Sequence, residues 1–280
     1  MKLEVVKINP DVRVRFYLSE DEGSYVPPHW HGSIEIVYVM EGRVSITCEN
    51  RRHDIHENEF YVVNSGVVHS VLSGKNRALV LQVPPEFLQE YLSDVDAYTF
   101  RVDMHPEKAT EISRLERIRK IFSDLYIVYD LQPEGYLLRF NSLLLEMMFM
   151  LVHSYSVRDE QRDIHNISRN QQHLSEILAY LNEHYREKIR LADLSARFGY
   201  NEDYLTRFFK KQTGMTITEY IYSYRVMMIC RDLKDTDRRI EDIFLEHGGS
   251  NERVTMRVFR EIYGCTPREK RQQLKEKDSA

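Results

Sequence analysis

The spacing of apolar and polar positions changes partway along this chain. Up to about residue 100, apolar residues come in short β-rich runs at 12–18, 34–40, 43–48, 60–64 and 78–83. Turn signals separate the runs: Asp21-Glu22-Gly23, Glu41-Gly42, Asn64-Ser65-Gly66 and Ser73-Gly74. Many short strands at regular spacing predict a sandwich or barrel.

The period changes near Pro84-Pro85. Ile112, Leu115, Ile118, Ile121, Phe122 and Leu125 follow helical spacing and predict a helix over 107–129. A second helix over 135–155 carries Leu138, Leu144, Leu145, Met148 and Leu151 and is apolar around much of its circumference. The pair forms a helical hairpin that packs on the barrel, forms a dimer interface, or does both. The stretch 156–171 is polar and aperiodic and reads as a linker.

Beyond it, two helix pairs repeat about 50 residues apart, centred on Gly199 and Gly248. In the first, Leu191, Leu194 and Phe198 face one way, Gly199-Tyr200 makes the turn, and Asn201 is an N-cap. The next helix buries Leu205, Phe208 and Phe209 and shows Asp203, Thr206, Arg207, Lys210 and Lys211 outward before Gly214 stops it. The second pair uses Ile240, Ile243 and Phe244, turns at Gly248-Gly249 and restarts near Asn251. Val254, Val258 and Phe259 are expected inward, with Glu252, Arg253, Met256, Arg257 and Arg260 outward. A long helix over 218–233 joins the units. A helix of this kind lies in the DNA major groove, early residues at base edges and later ones at phosphates.

Charge refines this picture. The net charge is −5. Residues 1–169 hold 19 Lys/Arg and 26 Asp/Glu, a net of −7, whereas 170–280 hold 20 and 18, a net of +2. Any phosphate-binding surface therefore belongs to the second half. With so small an excess, binding must come from placed side chains, not bulk charge.

The stretch from Ala192 to Gly214, continued by Arg225, Leu233, Thr236-Asp237, Ile240, Ile243, Gly248, Arg257, Phe259, Gly264 and Thr266-Pro267, resembles the AraC/XylS family of transcriptional regulators. The resemblance covers about residues 172–272. It implies two helix-turn-helix motifs joined by a long helix, with base contacts from Asp203, Thr206 and Arg207, then Glu252, Arg253 and Arg257. The second unit departs from the family at Gly249, Thr255 and Phe244, so it is expected to hold mainly phosphates while the first reads sequence.

In the first half, Gly23, His29, His31, Glu35 and Gly42 have the spacing Gly-x5-His-x-His-x3-Glu-x6-Gly, and His69 follows Gly66. His29 and His31 share one side of a strand. The pattern resembles the cupin barrel signature; in the second motif Asn58, Asn64 and Ser73 replace the usual residues. Three histidines and a carboxylate can bind Fe, Mn, Ni or Zn. In regulators of this type, however, the same positions usually line a metal-free pocket. The first reading is therefore no cofactor, with a divalent metal on His29, His31, Glu35 and His69 as the alternative. Trp30 is assigned either to packing or to a platform for a sugar ring.

The expected organisation is a ligand-sensing barrel (1–104), a dimerising hairpin (105–155), a linker (156–171) and an all-α DNA-binding domain (172–275). The 280 residues, 42% hydrophobic, suffice for two cores. Three scattered cysteines make no disulfide or metal framework and fit a reducing cytoplasm. No basic, apolar leader is read, and the run 143–152, broken by Glu146, falls short of the roughly 20 residues of a membrane span. No nucleophile elbow or phosphate-binding glycine loop is found. The leading expectation is a non-enzymatic regulator that binds promoter DNA as a homodimer under a small-molecule effector, a sugar or derivative, with RNA polymerase as a further candidate partner. The rival readings are a metal-dependent cupin enzyme fused to a DNA-binding adaptor and a ligand-free architectural DNA binder.

Overall fold

A computed structural model of the chain describes residues 8–48, 51–158, 164–248 and 252–278, with side chains omitted at 96, 164–168 and 276–278. The first half is built from strands β1 (Arg15–Glu22), β2 (Tyr25–His29), β3 (Ile34–Cys48), β4 (Arg51–His56), β5 (Phe60–Val63) and β6 (His69–Val83).

Two expected turns lie inside strands. Residues 34–40 and 43–48 are one 15-residue strand, and Ser73-Gly74 sits within another of the same length. These long strands pair antiparallel throughout, with register shifts between Val39 and Glu41 and between Gly42 and Val44. The bulges bend the ribbon, so its halves enter two different sheets. Gly42, at φ +81°, sits against Lys75 so closely that a Cβ there would lie 2.0 Å from its carbonyl oxygen. The Glu41-Gly42 signal therefore marks a corner, not a reversal. One half of the ribbon is flanked by β1 and β5, the other by β2 and β4. This is a jelly roll of two facing sheets. Among the described residues no ladder links β1 to β5 or β2 to β4, so the barrel stays open.

Alternation along the strands divides two cores. Val37, Val39, Val44, Ile46, Val63 and Ala78 fill the interior. Phe16, Ile36, Tyr38, Leu79 and Leu81 face out and are covered by helices. Past the short helix α1 (Pro85–Leu88) and strand β7 (Tyr98–Phe100) come α2 (Ala109–Leu131) and α3 (Tyr136–Tyr155). Phe122 stacks on Tyr38, ring centroids 5.0 Å apart, and Phe140 meets Phe16 edge-on at 5.4 Å. By length and composition α3 could cross a membrane. Here its Phe140, Leu144, Met147 and Leu151 are buried in the barrel core.

Of the stretch expected as linker, Ser156–Arg158 form strand β8, paired with β7, and 164 onward is helical; 159–163 lie outside the described residues. The helical half comprises α4 (Ile164–His184), α5 (Leu191–Phe198), α6 (Glu202–Thr213), α7 (Ile217–Asp235), α8 (Ile240–Glu246), α9 (Glu252–Tyr263) and α10 (Pro267–Asp278). One core joins α4, α5, α6 and the start of α7; the other joins the rest of α7 to α8 and α9.

This half docks on the barrel. β2 packs on α7, the Gln171 amide donates to the Gly66 carbonyl at 2.9 Å, and the buried Lys270 ammonium donates to the Gly23 carbonyl at 2.6 Å.

Candidate functional site

Helices α6 and α9 are amphipathic and each sits with one face in a core. In α6, Leu205, Phe208 and Phe209 are buried. The Asn201 side chain accepts from the Tyr204 amide at 2.7 Å, which caps the helix as its sequence predicts, and Gly214 ends it at φ +77°. Asp203, Arg207, Lys210 and Lys211 are exposed and Thr206 is half-buried at the edge of that face. In α9, Glu252, Arg253, Arg257 and Arg260 are exposed while Phe259 is buried. One position differs from expectation: Met256 is half-buried against the second core, not outward. Thr255, at a position where the family usually has a large apolar residue, is fully buried. Gly249 and Asn251 lie outside the described residues.

Sequence reasoning missed what holds the second unit in place. His247 ends α8 and is fully buried. Its Nε2 donates to Asp232 at 2.9 Å, and its Nδ1 accepts from the Tyr185 hydroxyl at 2.8 Å. Arg225 donates to the carbonyls of Tyr185 and Glu187, at 2.7 and 2.8 Å, and so satisfies the end of α4. A lone histidine before a glycine turn was the available signal. Its partners are distant in sequence.

The second constellation lies in the barrel. His29, His31 and Glu35, close together in the chain, and the distant His69 are all buried and gather at one place. His29 ends β2, Glu35 opens β3 and His69 opens β6, where His29 and His69 are register partners. One ligand nitrogen from each histidine lies within 4.8 Å of the others. Each ring gives its Nδ1–H to a backbone carbonyl two residues away: Pro27 at 3.0 Å, Ser33 at 3.0 Å and Val67 at 2.9 Å. A carbonyl can only accept, so these contacts place a proton on each Nδ1.

His31 Nε2 lies 3.0 Å from Glu35 Oε2, and His69 Nε2 lies 3.8 Å from Oε1. A neutral His31 has no second proton to offer that carboxylate, so the contact calls for a cation, either a proton on the ring or a metal ion. His69 Nε2 is buried with no hydrogen-bond partner among the described residues. Gln82, which sequence reasoning also missed, donates its amide to Glu35 at 2.5 Å. Alternation on β6 places it inward. Burial pushes the Glu35 carboxyl up, but the contacts from His31, His69 and Gln82 outweigh it and hold the group well below the usual carboxylate range. Burial, followed by the neighbouring His29, pulls His69 down to about 3.

Trp30 lies elsewhere. Its side chain joins the core formed by α4 to α7, beside Val68. A separate cleft of about 640 Å³ opens at the barrel edge, lined by Cys48, Arg51, His53, Tyr61, Phe100 and Arg101 among others. Arg51 and His53 form part of its concave wall.

Comparison with known proteins gives two family profiles. One, described as an AraC-like ligand binding domain, matches residues 12–140, and the other, described as a helix-turn-helix domain, matches 194–273. The HTH-type transcriptional regulator YdeC of Bacillus subtilis is 21% identical over 266 residues, covering 89% of this chain and 87% of that one. An HTH-type regulator of Staphylococcus aureus strain COL is 22% identical over 85% of this chain, which spans only 31% of its length. Among solved structures, ToxT of Vibrio cholerae with a bound unsaturated fatty acid aligns over 94% of this chain and 95% of its own, at 16% identity and TM-score 0.45. The DNA-binding domain of AdpA in complex with target DNA aligns over 38% of this chain and 96% of its own, at 23% identity and TM-score 0.36. With a matching profile over each half, in this order, the chain belongs to the AraC/XylS family of DNA-binding transcriptional regulators.

Proposed function

We propose that the state of the His29–His31–Glu35–His69 cluster controls how this regulator binds DNA, and that the occupant is a divalent first-row metal ion. One observation carries the assignment: three buried histidines, each with Nδ1 committed to a backbone carbonyl, bring one ligand nitrogen apiece within 4.8 Å of one another beside the Glu35 carboxylate. Backbone carbonyls that orient metal-ligating histidines through Nδ1 are the usual supporting shell of such sites. His29, His31, Glu35 and His69 would hold the ion, and Gln82 would orient Glu35. The ion would supply fixed charge and cross-linking between β2, β3 and β6.

Calorimetric titration with Zn²⁺, Mn²⁺, Ni²⁺ and Fe²⁺ tests this. One ion per chain is expected in the wild type, with binding lost in His69→Ala. Heat equal to a buffer blank for all four ions would sink the metal assignment.

A second reading rests on the 640 Å³ cleft. Arg51 and Arg101 suit an acidic effector, such as a sugar acid, more than a neutral sugar, and Trp30 is turned away from the cluster and packs half-buried against helices. A thermal-shift screen of sugars and sugar acids, repeated with Arg101→Ala, separates these cases.

On the DNA side, the proposed contacts are Asp203, Thr206 and Arg207 to bases and Lys210, Lys211, Arg253, Arg257 and Arg260 to phosphates, with Glu252 at the edge of the second surface. The chain acts as a homodimer in the cytoplasm, through exposed apolar residues of α2 and α3, with RNA polymerase as a candidate partner at the promoter.

A further inference from the structure

The segments that bear the histidines are also the segments that touch the DNA-binding half. Trp30 stands between His29 and His31, and Val68 directly precedes His69. The three histidines turn into the barrel, while Trp30 and Val68 turn out into the core shared by α4, α5, α6 and α7. That core includes Leu205, Phe208 and Phe209, the inner face of the first reading helix.

The two loops are also tied to each other. The Gly66 amide donates to the His31 carbonyl at 2.9 Å, and the Ser65 hydroxyl donates to the Gly32 carbonyl at 2.6 Å. The Gly66 carbonyl then accepts from Gln171 on α4 at 2.9 Å. Gly66 has φ +73°, and the Gln171 side-chain amide packs directly on it: a Cβ there would lie 1.9 Å from Nε2.

From this we propose that Trp30 and Val68 transmit the state of the histidine cluster to helix α6, which makes the barrel site an allosteric control on the first reading helix. The proposal rests on the metal reading above. An ion that holds its histidine nitrogens at about 2.1 Å fixes the ends of the His29–His31 segment and the start of β6. Alternation then dictates the direction of the intervening side chain: if the imidazoles are pinned inward, Trp30 is pinned outward. Trp30 Nε1 is buried without a hydrogen-bond partner among the described residues. Its docked position is thus held by packing with an unsatisfied polar atom, an arrangement that a second arrangement can rival in free energy.

The test uses the full chain, Zn²⁺ as the probe, and a duplex that the protein selects from a random pool. Trp30 is the only tryptophan, so its emission reports the contact directly. Zinc is expected to shift that emission, to alter hydrogen exchange in the α4 and α6 amides, and to change duplex affinity about 5- to 150-fold. A Trp30→Ala/Gln171→Ala variant should still bind zinc, yet lose the effect on exchange and on duplex affinity. If the wild type binds zinc but emission, exchange and duplex affinity stay constant, the coupling is wrong and the metal site stands. If the variant keeps the full response, the route through Trp30 is wrong. If none of Zn²⁺, Mn²⁺, Ni²⁺ and Fe²⁺ binds, the metal reading falls and the coupling with it.

Discussion

His247 Nε2 and Asp232 Oδ2 lie 2.9 Å apart and join α8 to α7. The same ring accepts from Tyr185, just past the end of α4, so one side chain fastens α7 and α8 to the end of α4 beneath the second helix-turn-helix unit. Replacing it takes one partner from the half-buried Asp232 carboxylate and one from the buried Tyr185 hydroxyl. His247→Ala should therefore lower unfolding free energy by roughly 1–3 kcal/mol. Urea denaturation followed by circular dichroism reads this, and an unchanged midpoint would refute the fastening role.

Arg207 is exposed on α6, its Nε donating to the Asp203 carbonyl at 3.2 Å, so the guanidinium lies along the helix surface beside the proposed base contacts. Arg207→Ala should lose roughly 1–3 kcal/mol on the cognate site and relax preference there. Arg253→Ala should instead weaken all duplexes alike. Footprinting over a panel of base-substituted sites distinguishes them. A base-selective loss for Arg253→Ala would show that the second unit reads sequence too.

Gly42 is fixed by both its left-handed backbone and the Lys75 carbonyl beside it. Gly42→Ala should cost about 2–4 kcal/mol, because neither backbone can yield without opening the bend between the sheets. Gly74, whose added Cβ would meet only ordinary contact at 3.6 Å, is the control. Equal melting temperatures for the two variants would contradict the corner assigned to Gly42.

The start of α7 gives a pH prediction. Thr216 and Glu219 form a reciprocal capping box, and the Thr216 amide and then its hydroxyl hold the Glu219 carboxyl below its usual range. A carboxyl with a depressed folded-state pKa stabilises the fold above its unfolded pKa, and that contribution fades as pH falls through the folded value. Thr216→Ala should cost about 1 kcal/mol at neutral pH. The difference from wild type should shrink in melts taken below pH of about 4. A gap that is constant with pH would exclude the carboxylate from the cap.

Helices α2 and α3 expose Ile127, Leu131, Leu138 and Phe149, with Leu138 81% and Phe149 66% accessible. If this stripe is where two copies meet, Leu138→Glu/Phe149→Glu should sediment as a monomer with its melting temperature nearly unchanged. A wild-type chain that sediments as a monomer at all concentrations would remove the dimer from the proposal.

Most of the helical half was legible because its signals are local. Asn201 caps, Gly199 and Gly214 turn, and apolar spacing sets the buried face within a dozen residues. The spacing of His29, His31 and Glu35 likewise singled out a site before any fold was known. Strand ends were less legible. Gly42 and Ser73-Gly74 look like reversals in sequence, and only the pairing of β3 with β6 shows that the chain bends there and runs on.

By itself, then, the sequence determined the two halves and the two helix-turn-helix units and marked His29, His31 and Glu35 as candidates, since each follows from periodicity and residue type over short spans. The tertiary structure alone decided that His69 and Gln82 arrive beside Glu35, that His247 lies between Asp232 and Tyr185, and that Trp30 turns away from the cluster into the helical core. Those facts depend on strand register and domain docking. Both are settled by burial summed over many distant residues, which no local pattern encodes.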